Sequence, residues 1–267
     1  MNVKNFEFLK EGLKYMGFGE KLNEDLQKQI EKQPADFQLS MVGEYKKDNT
    51  MEKVMYNLDF KKSDQTDMYF FNRYKATLTH DDTAKEKSQT FYITKNTGIT
   101  AKEAFNLLSG RSINKDLTNK EGQPFNAWLQ LDFTEKDKND NFKVKQFHSG
   151  YGYDLDKILD KYPIKELATA EQKEKLMKSL EKGNLTQVTF MKEGKEEKTF
   201  IEANPKFKNL NVYDASMKKA FQENEKKETN QATDKSPEKK EALKKGANEE
   251  DEDTTQKKRP KRRGVGV

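Results

Sequence analysis

Through residue 215 the apolar positions follow two rhythms. Leu22, Leu26 and Ile30 recur at i, i+4 and i+8, and Ala101, Ala104, Phe105 and Leu108 form a similar stripe. That is the spacing of one buried helix face. The stripes predict helices over residues 21–32 and 100–109, and related patterns predict helices over 6–16, 155–159 and 170–182. Thr100, three residues before Glu103, reads as a capping box. Gly110 and Gly183 stand where a helix would end in a left-handed turn. Between the helices the period changes to two. Val54, Tyr56, Leu58 and Phe60 share one face, as do Ala127, Leu129, Leu131 and Phe133, the mark of half-buried strands. Polar turns at Lys47-Asp48-Asn49, Lys120-Glu121-Gly122 and Glu193-Gly194-Lys195 join strand pairs. Third strands are predicted over 68–78, 141–147 and 210–213, with a further strand over 89–94 placed to pair with 68–78.

The order of elements repeats. Asn57-Leu58-Asp59-Phe60 matches Gln130-Leu131-Asp132-Phe133 at an offset of 73. Gly110 and Gly183 are again 73 apart, and Trp128 aligns with Phe200 at 72. Such a period exceeds that of tight solenoids, about 50 residues at most, and points to repeated small modules. The expected fold is α+β: a body over 1–215 built from helix-plus-antiparallel-strand units at roughly 20–95, 98–150 and 168–215, with helices packed on sheets.

Composition sharpens the division of the chain. Of 267 residues, 36% are charged and 32% hydrophobic, against about 25% and about 45–50% in ordinary domains, the latter set also counting Gly. Mean hydropathy is -1.15. Residues 216–267 read as a disordered charged tail. From 223 onward the only apolar side chains are Ala232, Ala242, Leu243, Ala247, Val265 and Val267, too few to offset ordering entropy. An acidic run, Glu249 to Asp253, precedes a basic run of Lys257, Lys258, Arg259, Lys261, Arg262 and Arg263. Net charge is +5 overall, of which 13 Lys/Arg and 11 Asp/Glu from 223 onward supply +2. The body is therefore nearly balanced, and the concentrated positive charge lies near residue 260.

Several chemistries are closed. Without cysteine there is no disulfide, thiolate metal site or Cys nucleophile. His80 and His148 are too few for a multi-His metal site or a conventional Ser-His relay. No phosphate-loop motif occurs. Asp64, Asp67, Asp137 and Asp140 lie in oxygen-rich loops, but neither loop has a twelve-residue calcium frame, so they read as turn formers. His148-Ser149 and Tyr151-Gly152-Tyr153-Asp154 offer no third group of defined role and read as loop chemistry. The expectation is a non-enzymatic protein with no catalytic residue, metal or cofactor. No secretory signal is read at the start and no run approaches about 18 apolar residues, so a cytoplasmic protein without membrane contact is expected.

Three features remain as candidate binding sites. The basic run offers six charges for salt-sensitive contact with phosphates. A nuclear import pattern also matches but is set aside, and the alternative is a tail that solubilises with no partner. Along 68–78, Met68, Phe70, Tyr74, Ala76 and Leu78 read as core. Tyr69, Phe71, Arg73 and Lys75 fall on the other face, an arrangement suited to base stacking with phosphate contact unless a helix covers it. Trp128 is a third candidate for stacking, or a packing residue, since its repeat mate is also aromatic.

Longer strings carry a resemblance: residues 60–74, Gly98-Ile99-Thr100-Ala101-Lys102-Glu103-Ala104, Asp116-Leu117-Thr118-Asn119-Lys120-Glu121-Gly122-Gln123 and Ile201-Glu202-Ala203-Asn204-Pro205. Over residues 1–215 the chain resembles an uncharacterised family found in Bacteroidota on conjugative and other mobile elements, whose repeat modules also occur beside topoisomerase-like proteins. The resemblance implies a bacterial cytoplasm, a DNA-handling neighbourhood and DNA-processing proteins as partners. It transfers no catalytic residue, and no topoisomerase domain is present here. Two functional expectations result: an accessory protein that binds nucleic acid, or a scaffold that binds proteins of a conjugation or DNA-processing complex.

Overall fold

A computed structural model describes residues 1–47, 50–93 and 98–219. Helix α1 (Val3–Tyr15) leads into α2 (Asn23–Lys32), and then strands β1 (Asp36–Lys47), β2 (Thr50–Lys62), β3 (Tyr69–Leu78) and β4 (Lys87–Tyr92). Next come α3 (Ala101–Leu108), β5 (Ile113–Thr118), β6 (Pro124–Lys136) and β7 (Phe142–His148). Helices α4 (Leu155–Leu159) and α5 (Ala170–Glu181) precede β8 (Thr186–Lys192), β9 (Lys195–Asn204) and β10 (Asn209–Tyr213). The strands form three antiparallel meanders, β1-β2-β3-β4, β5-β6-β7 and β8-β9-β10. A helix followed by a meander therefore occurs three times, in an α+β fold.

Local chemistry accounts for the boundaries. Thr100 accepts from the Glu103 backbone while Glu103 returns a bond to the Thr100 backbone, so the capping box forms. Asp154 and Thr169 cap α4 and α5. Gly110 and Gly183 take positive φ after their helices, and Glu193-Gly194 makes a two-residue hairpin with both φ positive. Asp137 is a turn former, accepting from the backbone of Asn139 and Asn141. In the first loop Ser63 does this work for Gln65 and Thr66. The expected turn at Asp48-Asn49 and Thr94 of the fourth strand lie outside the described residues.

Two hydrophobic clusters divide the body. The first holds α1, α2, α3, the inner face of the first sheet (Val54, Tyr56, Leu58, Phe60) and one face of the second (Ala127, Leu129, Leu131). The second holds the other face of the second sheet, through Trp128 and Phe147, with α4, α5 and the third sheet. The middle sheet is thus packed on both faces, while most of β7 stays exposed. Side-chain amides stitch the layers together. Asn5 exchanges two bonds with the Tyr69 backbone, Gln89 does so with Phe142, and Asn106 donates to the carbonyl of Lys182 at 2.6 Å. Asn5 and Gln89 each act as a short extra strand position and Asn106 meets the carbonyl that ends α5, satisfying backbone groups that burial would otherwise leave unpaired. Among the described residues, no helix is long and apolar enough to cross a membrane.

Candidate nucleic-acid interface

The sequence-derived faces of β3 need correction, and the cause is one residue. Asp59 pairs with Arg73 and Phe60 with Phe71, so Asn72 is an extra residue in β3 and makes a bulge. A bulge shifts the alternation by one position. After it, Tyr74 and Ala76 point inward as expected; before it, Tyr69 and Phe71 point inward as well. Tyr69 is fully buried, with its hydroxyl donating to the Pro34 carbonyl. Phe71 packs against Phe18 and Phe60. Neither ring is open to a base. Met68 and Phe70, expected in the core, are exposed instead, Phe70 by 46%. Trp128 is also closed: it is 6% exposed and meets Tyr153 edge to face at 5.3 Å. Lys257, Lys258, Arg259, Lys261, Arg262 and Arg263 lie outside the described residues.

Arg73 and Lys75 do face outward, and they join side chains that the pattern alone did not single out. Across the four strands Gln38, Asp59, Arg73 and Tyr92 stand in register. Gln38 donates to Asp59 at 2.7 Å and the Arg73 Nε to the other carboxylate oxygen at 2.8 Å. The hydrogen bond to Asp59 is the main reason the Arg73 guanidinium is held charged above its ordinary range, with Tyr92 helping. The next row is Ser40, Asn57, Lys75 and Thr90, and the one after it Val42, Met55, Thr77 and Ser88. Tyr92 is 55% exposed. An open recess of about 600 Å³ runs over the first row, between Asp36, Phe37, Arg73 and Tyr92.

This face has the parts for contact with an extended polyanion: two exposed rings, Phe70 and Tyr92, and the cations Lys61, Arg73 and Lys75. Asp59 shares the charge of Arg73 and Asp36 stands opposite Lys61 in register, so among these residues Lys75 carries the net positive charge. Tyr92 could have been found by extending the outward parity of Arg73 across the predicted strand pair. Phe70 could not, because the bulge hid it. The His148 and Tyr151 segment forms no acid–base constellation: Asp154 is engaged with Lys157, Tyr151 donates to the Lys206 carbonyl and Tyr153 is buried. Among the described residues no group of three His, Asp or Glu is placed to hold a metal. Comparison with family models, with curated proteins and with solved structures finds no match.

Proposed function

We propose that this chain is a nucleic-acid-associated accessory protein of a bacterial mobile element, acting by binding rather than by catalysis. The observation that carries the reading is the outer face of the first sheet, where Phe70 and Tyr92 lie among Lys61, Arg73 and Lys75. Exposed rings on a sheet stack bases that are already unpaired, and neighbouring cations hold the backbone. The basic run from Lys257 to Arg263 adds sequence-independent attraction. The division of labour is then specific: the sheet prefers single strands, and the basic run supplies strength at low salt.

The test uses the full chain with a single-stranded oligonucleotide and its duplex at about 50 and about 200 mM salt. The double variant Phe70→Ala, Tyr92→Ala is expected to weaken single-strand binding about tenfold or more, given roughly 1–3 kcal/mol per stacked base, and to spare the duplex. Replacing the six basic residues of the run by Gln is expected to flatten the salt dependence for both. No binding by the unaltered chain at the lower salt would refute the reading. A second reading, a protein-binding scaffold, draws on Val42 and Met55, which expose apolar surface beside the same rows. Capture of DNA-processing proteins that survives nuclease treatment would favour it.

A further inference from the structure

Positive charge also gathers away from the first sheet's outer face. A cleft of about 580 Å³ lies where α3 and the turn after it approach the third module. Lys102, Arg111 and Lys46 line one side, with Thr186, Gln187 and Phe200 on the other. Among the described residues lining it, none is acidic. Arg111 is buried, donates to the Asn106 Oδ1 at 2.7 Å and stands 5.1 Å from the Phe105 ring centre. Lys102 places its Nζ 4.6 Å over that same ring and 4.7 Å over Tyr45, which stacks on Phe105. Two cations therefore share one aromatic support.

The surroundings of Lys102 act on its ammonium in opposite directions. The ring faces favour the ammonium. Burial, with the like charge of Arg111, works against it and brings Lys102 down to about 8. Packing of a lysine stem on aromatic surface is common, and here it brings the ammonium beside a second, buried cation at the wall of the cleft. A dianionic oxygen cluster is the ligand chemistry that would suit both charges. Arg offers a planar donor fork and Lys a compact point charge, the pair that recurs in phosphate recognition. Phe200, on the far wall, is half-buried and offers apolar surface to the rest of a ligand. The cleft lies within the size range of small-molecule sites, about 300–1,000 Å³.

We propose that this cleft binds a phosphomonoester, with its phosphate between Lys102 and Arg111 and its remaining body toward Phe200. The chemistry is shared by a free mononucleotide and by the phosphorylated end of a strand, and it does not depend on the outer-face reading. Among the described residues, charged and titratable neighbours of Lys102 are Tyr45 and Lys46 on β1 and Arg111 after α3. Glu103, adjacent on its helix, is turned to Lys115 at 3.2 Å.

Titration calorimetry on the full chain would use inorganic phosphate, a 5′-mononucleotide, and one oligonucleotide with and without a 5′-phosphate. Binding of inorganic phosphate or the mononucleotide is expected, and Lys102→Gln should weaken it about tenfold, the usual size of one charge-assisted contact. Near pH 8 the wild-type heat should differ between buffers of unlike ionisation enthalpy, because the anion makes Lys102 take up a proton; Lys102→Gln should lose that difference. Preference for the 5′-phosphorylated oligonucleotide alone would assign the strand end, and binding of the mononucleotide the free ligand. The proposal is overturned if no phosphate species binds at millimolar concentration, or if Lys102→Gln binds as tightly as wild type. Phe70→Ala with Tyr92→Ala should leave this binding intact, which separates its failure from that of the outer-face reading.

Discussion

Met55 and Trp128 occupy the same place in the first and second modules, on the outer face of the central strand, 73 residues apart. Trp128 is 6% exposed and Met55 43%. The difference lies in the layer that the next stretch of chain lays over each face. Trp128 pairs across β6 and β7 with Phe147, and both rings are covered by Tyr153, α4 and the third module. Nothing among the described residues covers Met55 in the same way, and its row ends in polar Thr77 and Ser88, whose hydroxyls bond at 2.8 Å. A repeated position thus keeps its strand and its direction but not its role. The role depends on whether another layer is laid on that face. Phe200, the third copy, is half-buried at the edge of the cationic cleft.

The largest effect expected from this contrast is in stability. Trp128→Ala removes a buried indole and its ring contact, a loss of about 3–5 kcal/mol. Met55→Ala should stay within about 0.5 kcal/mol. Urea unfolding of both variants checks the pair. Equal losses would mean that the outer face of the first sheet is also covered in solution.

The glycines sharpen the same comparison, between a joint and a free turn. Gly183 and Gly194 have nearly the same backbone, φ +75 and +76. A Cβ on Gly194 would meet nothing, whereas one on Gly183 would lie 2.7 Å from the Ser112 carbonyl oxygen and 2.8 Å from Ile113. Both replacements by Ala carry the left-handed penalty of about 1–2 kcal/mol. Gly183→Ala adds a clash with the second module and should cost about 3 kcal/mol or more in all. Thermal unfolding that ranked the two alike would show that the modules do not meet there.

The same contrast explains how much of the molecule was legible in the sequence. Element order, the capping box at Thr100 and the inward faces of β2 and β6 were readable, because each depends on spacing within a dozen residues. The outward ring of Phe70 and the inward rings of Tyr69 and Phe71 were not. Their faces turn on one extra residue at Asn72, and period two has no memory of a slip. The joints were hidden for another reason. Asn5, Gln89, Asn106 and Asn141 look like surface amides in sequence, yet all are buried, and their partners lie 51 to 78 residues away. The cleft is the extreme case, drawing its cations from β1, α3 and the turn after α3.

The smallest expected effect concerns Asp59 and Asp132, which also stand 73 residues apart. Each lies where its strand meets a bulge and each faces a cation: Arg73 at 2.8 Å and Lys145 at 2.6 Å. Their second partners differ. Asp59 accepts from the long side chain of Gln38 on β1. Asp132 accepts from the backbone and hydroxyl of Thr134, inside its own bulge. The Lys145 bond, and then those from Thr134, hold the Asp132 carboxyl well below the usual carboxylate range. A carboxyl depressed in the folded state stabilises above its unfolded value, near 3.9, and that contribution is lost as pH falls toward the folded value. Asp132→Asn should therefore be less stable than wild type at pH 7, and the gap should close as pH is lowered from about 5 to about 2. Unfolding curves across that range provide the check. A gap that stayed constant would mean that Asp132 acts through the shape of the bulge, which an asparagine can copy, rather than through its charge.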